Sequence, residues 1–368
     1  MSNALGIGIV GIGRMGWVHA QHLLELERED GVCRLAAVVD KDSARLKHFA
    51  SELSYTGLMF PSLEEYLAAD VCRATVVAAP TAHHRTSAMA LVKAGHRVML
   101  EKPLTGTLEG DRACSAELDR DFPRALMLAF QRRFDDAMRY GRELVQQGRI
   151  GRMFKIYSAL EDSGPPPHGY QSDGILPDMS VHNVDEILWL AGRMPDRAMA
   201  IGSVLHNQHL ASCKEDFDDA MLYMWFGEEV LGQVQVTRNH VSGYRVETAI
   251  YGDQGQIQIG RFYQRPQEIV VEAFGRRGAN DPIARKVFAG GNGGHSAPEF
   301  VDRFGPAYKA EAAAFIECCR NGADFPTTHS DGLRAQQVIA AAMRAVQTRH
   351  AAAAVNQLSQ AHSEEFTK

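Results

Sequence analysis

The stretch LGIGIVGIGRMGWVHA, residues 5–20, constrains this chain more than any other. A short apolar run ends at Gly11, and Gly11, Gly13 and Gly16 form a G-x-G-x-x-G that opens an amphipathic run of helical period. In that context Gly11 permits the tight turn, Gly13 lets a pyrophosphate approach the backbone, and Gly16 lets helix and strand pack closely. The helix N-terminus adds amide groups and partial positive charge for phosphates. A second apolar run, RLAAVVD, ends in Asp40, 24 residues past Gly16 (40 − 16). A carboxylate there accepts ribose hydroxyls and repels a 2′-phosphate, so the motif favours NAD over NADP. Lys41 and Arg45 lie close by. FAD and S-adenosylmethionine are the other ligands such a turn can hold.

The first third continues the same alternation. Apolar runs at 34–40, 73–80, 96–103 and 124–131 are separated by helical patterns at 43–53, 62–69, 84–95 and 107–120. Repeated βα units of this kind imply a doubly wound parallel sheet with right-handed crossovers, covered on both faces. After residue 130 the pattern changes. A helical stretch at 134–151 and a strand at 152–160 precede a Pro/Gly loop at 163–174, an apolar helix at 178–190, and then strand after strand between 197 and 274. That run predicts an α+β region built on a large, mostly antiparallel open sheet. Residues 275–300, rich in Gly and Asn, read as a loop. Two helical patterns, 307–320 and 330–349, close the chain. The expected division is a Rossmann dinucleotide-binding domain at 1–130, an α+β substrate-binding and oligomerisation domain at 131–350, and a polar tail at 355–368. The closing helix near 330–348 is expected to pack back on the first domain. A chain of 368 residues exceeds what one core usually holds, which agrees with two domains.

Charge narrows the function. There are 45 acidic and 39 basic side chains, a net charge of −6, which argues against nucleic acid as a partner because phosphate backbones need a basic surface. No apolar run is long enough to span a bilayer, and the N-terminus carries no secretory pattern, so no membrane partner and a cytoplasmic location are expected. The cysteines at 33, 72, 114, 213, 318 and 319 show no C-x-x-C pairing and read as buried small hydrophobes.

The helix DMSVHNVDEILWL raises a chemical question. Asp178, His182 and Asp185 fall at i, i+4 and i+7, one stripe of a helix that is otherwise apolar. Buried without partners they would be costly, so they either satisfy one another or face a cleft. MLEKP, residues 99–103, ends a strand at the carboxyl edge of the sheet, where ligands bind in doubly wound folds.

GIGRMG, AAPTAHH, EKP, QRRF and DMSVHNVD, in this order, resemble the glucose-fructose oxidoreductase / inositol dehydrogenase / rhizopine catabolism (Gfo/Idh/MocA) family over residues 5–345. SGPPPHGYQSDGILPDMSVHNVD and RFGPAYKAEAAAFIE are most similar to its inositol 2-dehydrogenase branch. The resemblance implies NAD-dependent oxidation of a secondary hydroxyl of myo- or scyllo-inositol, or of a related pyranose, to the ketone or lactone. It implies a catalytic group of Lys102, Asp178 and His182, with His182 as general base, and a cis Lys102–Pro103 bond. It places Gly11, Gly13, Arg14, Met15, Gly16, Asp40, Pro80, Thr81, His84, Glu101 and Lys102 on the cofactor. A basic side chain at the domain junction, Arg132 or Arg133, belongs to the pattern, and Arg133, Tyr170, Asp178 and His182 are expected on the substrate. Asp185 would orient the His182 imidazole. No metal is expected. Tyr244, Arg245 and His295 are weaker substrate candidates, and His168, His206 and His209 read as loop histidines. The branch's Gly-Gly before the helix is replaced by DGILPD, so Asp173 and Pro177 would reshape the polyol pocket. Other readings are a dehydrogenase of a glucose-type aldose or anhydrosugar, and a non-catalytic NAD sensor. The open sheet predicts a homodimer or homotetramer.

Overall fold

The computed structural model describes residues 4–162, 164, 174–207, 210, 216–241, 243–260, 268–276, 281–290 and 299–347. The first unit runs β1 (Leu5–Val10), α1 (Arg14–Asp30), β2 (Cys33–Val39), α2 (Ser43–Glu52), β3 (Leu58–Phe60), α3 (Leu63–Ala69), β4 (Ala74–Val77), α4 (His84–Lys93), β5 (Arg97–Glu101), α5 (Leu108–Asp121) and β6 (Leu126–Ala129). Its six strands are all parallel in the order β3-β2-β1-β4-β5-β6. The order reverses between β1 and β4, and that switch opens the crevice at the strands' carboxyl ends. Ile7, Ile9, Val76, Met99 and Met127 are essentially unexposed, as a sheet covered on both faces requires. Side chains also start the helices. Asp42 caps α2 through the amides of Ala44 and Arg45, and Thr107 caps α5 through Gly110.

The second unit comprises α6 (Asp136–Gln146), β7 (Met153–Glu161), α7 (Val181–Ala191), β8 (Arg197–Ser203), β9 (Asp219–Phe226), β10 (Val230–Thr237), β11 (Arg245–Gly252), β12 (Gly255–Ile259), β13 (Glu268–Gly275), β14 (Ala284–Ala289), α8 (Phe300–Asn321) and α9 (His329–Gln347). The eight strands form one sheet, β14-β13-β12-β11-β7-β10-β9-β8, antiparallel except where β10 runs parallel to β7. Strand β9 alternates: Ala220, Leu222, Met224 and Phe226 are buried, while Asp219, Met221, Tyr223 and Trp225 are half-buried. The buried side meets the helices, and Ile187 of α7 sits over Gly232 of β10. On the other side no helix of the described residues covers the half-buried side chains of β9.

Four expectations need correction. Strand β3 was not anticipated, and β14 lies inside the stretch read as loop. Both are edge strands with little buried surface, so backbone pairing holds them without an apolar signature. The helix at 178–190 is not one regular α-helix, because a π-helical turn at Leu176–Ser180 precedes α7. Finally, α8 packs on the first unit as well as α9. Ala312, Phe315 and Ile316 join the core that holds Ile7, Ile9 and Leu23, and Gly332 of α9 sits against Leu128 of β6.

Candidate functional site

The phosphate-binding turn follows β1. Gly11 has φ +85°, and a Cβ there would come within 2.8 Å of the Ala79 backbone. A Cβ on Gly16 would strike the Gly11 carbonyl oxygen at 1.9 Å. Gly13 faces open space, with nothing within 4 Å of an added Cβ. Two glycines are thus demanded by packing and one leaves a gap beside the amides that open α1, which fits a dinucleotide pyrophosphate. Arg14 is exposed and lies over the Phe300 ring at 5.1 Å, while Met15 is half-buried against the core. Asp40 is nearly buried at the end of β2. Its Oδ2 accepts the Ile12 amide at 3.1 Å and its Oδ1 the Asp42 amide at 3.0 Å, and Arg45 Nη1 reaches both oxygens at 3.2 and 3.1 Å. Pro80 and Thr81 begin the short turn after β4 and border the same crevice edge.

Lys102 follows β5 directly, and its peptide bond to Pro103 is cis. Its Nζ donates to Asp178 twice, to Oδ1 and to the backbone oxygen, each at 3.0 Å. The π-helical turn makes this possible, because it shifts Asp178 out of regular α-helical register and presents its carbonyl to a side chain. Glu101 points the other way. It is buried, its Oε1 bonded to His19 Nε2 at 2.8 Å and its Oε2 accepting the Lys102 amide at 3.0 Å, so it braces the lysine from behind. His84 is buried with Nδ1 2.7 Å from the Pro103 oxygen and Nε2 2.9 Å from the Ala79 oxygen. Both ring nitrogens are therefore committed to joining the loops after β4 and β5, and His84 reaches the cofactor edge through the backbone it holds.

His182 is the second residue of α7, with Nδ1 buried and without a hydrogen-bond partner among the described residues. Burial, then the charges of Lys102 and Arg132, hold its pKa well below 6.5, so the ring is a neutral proton acceptor near neutral pH. Arg132 and Arg133 have different surroundings. Arg132 is 2% exposed, bonds Glu186 Oε2 at 2.7 Å through Nη1, and leaves Nε and Nη2 buried without partners in the neighbourhood of His182. Arg133 is occupied elsewhere: it grips Asp185 with Nε and Nη2 at 2.9 and 2.6 Å, and Nη2 also meets Asp331 at 2.9 Å. The same grip means that Asp185 does not hold the imidazole. Burial outweighs Arg133 and lifts the Asp185 carboxyl to about 6.

Tyr244 is drawn toward the same centre. Burial pushes its hydroxyl up to about 12, opposed by the charges of Arg132, Arg303 and Lys102. Arg245 is bound to Glu161 and Glu247 on the sheet. His206 donates its amide to Asp218 in a turn. Pro177 sits within the π-helical turn. Tyr170, His168, Asp173, His209, Cys213 and His295 fall outside the described residues. Three contributors were missed in the sequence: His19, Glu186 and Glu311. His19 lies three residues past Gly16, on the helix face that must pack on the sheet, and that spacing is the signal that marks it. Glu311 of α8 is 0% exposed with neither oxygen in a well-formed hydrogen bond. Burial, then the Glu101 carboxylate, raise its pKa well above 4.5, and the Phe130 backbone only partly opposes this.

Comparison with known proteins places the chain among oxidoreductases. Residues 5–121 match a family model described as an oxidoreductase family, NAD-binding Rossmann fold, and residues 142–355 match its C-terminal alpha/beta domain. A scyllo-inositol 2-dehydrogenase (NAD(+)) from Bacillus subtilis is 27% identical over 332 residues, 88% of this chain and 88% of that protein. The myo-inositol dehydrogenase Hyg17 of Streptomyces leeuwenhoekii is 31% identical over 321 residues, 86% of this chain and 89% of that protein. Among solved structures, scyllo-inositol dehydrogenase from Lactobacillus casei with bound NAD(H) and scyllo-inositol superposes with a TM-score of 0.79 at 25% identity, covering 94% of this chain and 98% of that one.

Proposed function

We infer the function of this chain from the premise that it belongs to the Gfo/Idh/MocA oxidoreductase family, whose Rossmann and C-terminal models together match most of its length. It is an NAD-dependent oxidoreductase acting on CH–OH groups, and its reading here is oxidation of a ring hydroxyl of scyllo- or myo-inositol to the inosose. The observation that carries this is the meeting of Lys102, Asp178 and a neutral, partly buried His182 at the carboxyl edge of the parallel sheet.

Oxidation removes a hydride from the carbinol carbon and a proton from its hydroxyl. Bound NAD supplies the nicotinamide that accepts the hydride. His182 takes the hydroxyl proton at Nε2, the nitrogen that the buried Nδ1 leaves toward the cleft. The Lys102 ammonium stabilises the negative charge growing on the oxygen. Asp178 fixes Lys102 Nζ through two acceptors, so the cation is already in place before the oxygen becomes charged. Arg132 offers its unpartnered Nε and Nη2, and Tyr244 its hydroxyl, to the other hydroxyls of the ring. Asp40 receives the adenosine ribose.

The test is NADH formation from NAD with myo-, scyllo- and chiro-inositol, D-glucose, xylose and levoglucosan, each repeated with NADP. Turnover of one inositol with NAD is expected. Turnover only of an aldose or anhydrosugar would move the substrate while keeping the residues. Tight NAD binding with no turnover of any polyol would overturn the enzyme reading in favour of a sensor. No helix among the described residues is long and apolar enough to cross a membrane. A cytoplasmic location fits the five described cysteines, all free thiols. A homodimer or homotetramer fits the open face of the second sheet, where Met221, Tyr223 and Trp225 are only half-buried and Ile201 is 54% exposed.

A further inference from the structure

Away from the catalytic group, α6, α7 and α8 border a solvent-open cavity of about 490 Å³. Three guanidinium groups line it, from Arg133, Arg139 and Arg142, against one wall carboxylate, Glu317. Arg133 is already neutralised by Asp185 and Asp331. Arg139, exposed at the rim, and Arg142, half-buried, form no ion pair with any described residue. Arg142 instead stacks on the Trp189 indole at 4.5 Å, which fixes its plane while leaving its N–H edge available. Burial and the neighbouring Arg133 charge both depress its pKa, the mark of a cation held beside another cation without a counter-ion. This occurs on a chain of net charge −6, where carboxylates are plentiful.

We propose that this cavity is a binding site for a phosphate-bearing small molecule, held by the N–H edges of Arg139 and Arg142. Two unpaired guanidiniums match a phosphoryl dianion in charge and in the forked geometry of their donors. The volume lies in the range of metabolite pockets and is larger than a bare ion needs, and the side chains of Ala313 and Ala314 leave room for the organic part. Glu317 on the same wall disfavours a second anionic group and meets hydroxyls instead. The ligand class is therefore a monophosphate ester with hydroxyl groups. The site stands apart from the dinucleotide turn and does not depend on which polyol is oxidised.

The test uses the NAD-saturated enzyme, so that the phosphate-binding turn after β1 is filled. Calorimetric titrations with inorganic phosphate and with glycerol phosphate, against chloride at equal ionic strength, are compared between the wild type and an Arg139→Ala/Arg142→Ala variant. One saturable site per chain is expected, tighter for the ester than for inorganic phosphate, and weakened at least about tenfold in the variant while polyol turnover is retained. Heats no larger than dilution in the wild type, or an affinity unchanged in the variant, would overturn the proposal.

Discussion

Lys102 and His182 lie close enough for each to set the other's chemistry. Burial suppresses the charged form of the imidazole, and the Lys102 ammonium, proposed to polarise the hydroxyl, and Arg132 add to that effect. Oxidation should therefore keep its rate as pH falls to 6.5, the value of an unperturbed histidine, with the acid limb of kcat/KM below it. A limb above 6.5 would show that His182 is not the base. Lys102→Ala and His182→Ala are each expected to lower kcat roughly 10²- to 10⁴-fold, with NAD affinity retained in a binding titration. Asp40→Ala removes the acceptor from the ribose hydroxyls and frees Arg45, so the ratio of NAD to NADP efficiency should fall at least about tenfold in steady-state assays. Glu311 gives a stability prediction. Its folded pKa is raised, so its contribution is fully present below pH 4.5 and declines as pH rises and the unfolded chain alone ionises. The decline comes from burial of the carboxyl and its nearness to Glu101, which only the folded state imposes. Glu311→Gln should flatten it in urea titrations between pH 5 and 7. At this scale the motif residues were legible because G-x-G-x-x-G, EKP and D-x-x-x-H carry their chemistry in spacing. Glu186 and Glu311 were not, since what sets their state lies on another element: Glu186 pairs with Arg132, and the Glu101 carboxylate adds to the burial that keeps Glu311 protonated.

Helix α7 carries His182, the proposed general base, and is tied to the short turn at Gln131–Phe134. Arg132 and Arg133 leave that turn toward neighbouring residues of α7, Glu186 and Asp185, so two adjacent ion pairs pin one helix to the domain junction. Arg133→Ala would leave Asp185 buried without its cation, at a cost of about 3–5 kcal/mol near pH 8. Near pH 5 the loss should be smaller, because a carboxyl already raised to about 6 sheds its charge by protonating. Equal losses at both pH values in denaturant titrations would show that the pair does not anchor the helix. The helices and central strands were legible from apolar period. The π-helical turn was not, because a single turn is too short to show an apolar period of its own, and Asp178 meets Lys102 only through the fold. Strands β3 and β14 escaped for the opposite reason, since they bury too little to show a pattern.

For the whole molecule, the open face of the second sheet bears on assembly. Met221 faces Ile201 across the β8–β9 pairing, and Tyr223 faces Met199, so apolar side chains form rows on that face. Light scattering is expected to give a dimer or tetramer at micromolar concentration, and Ile201→Arg with Met221→Arg should release monomers that still bind NAD. A monomeric wild type would refute this use of the face. The return of α8 to the first unit bears on folding. Phe315 and Ile316 share a core with Ile7 and Ile9, although about three hundred residues separate them in the chain. Phe315→Ala should therefore cost about 3–5 kcal/mol and weaken NAD binding, although the residue lies far from the nucleotide turn. On the ribosome the consequence is one of timing. The parallel sheet emerges first, yet its hydrophobic wall is completed only when α8 has been translated, on the order of ten seconds later at ordinary elongation rates. In the interval Ile7 and Ile9 have no partner from the C-terminal half, and the nascent nucleotide domain is a client for any factor that shelters exposed apolar surface.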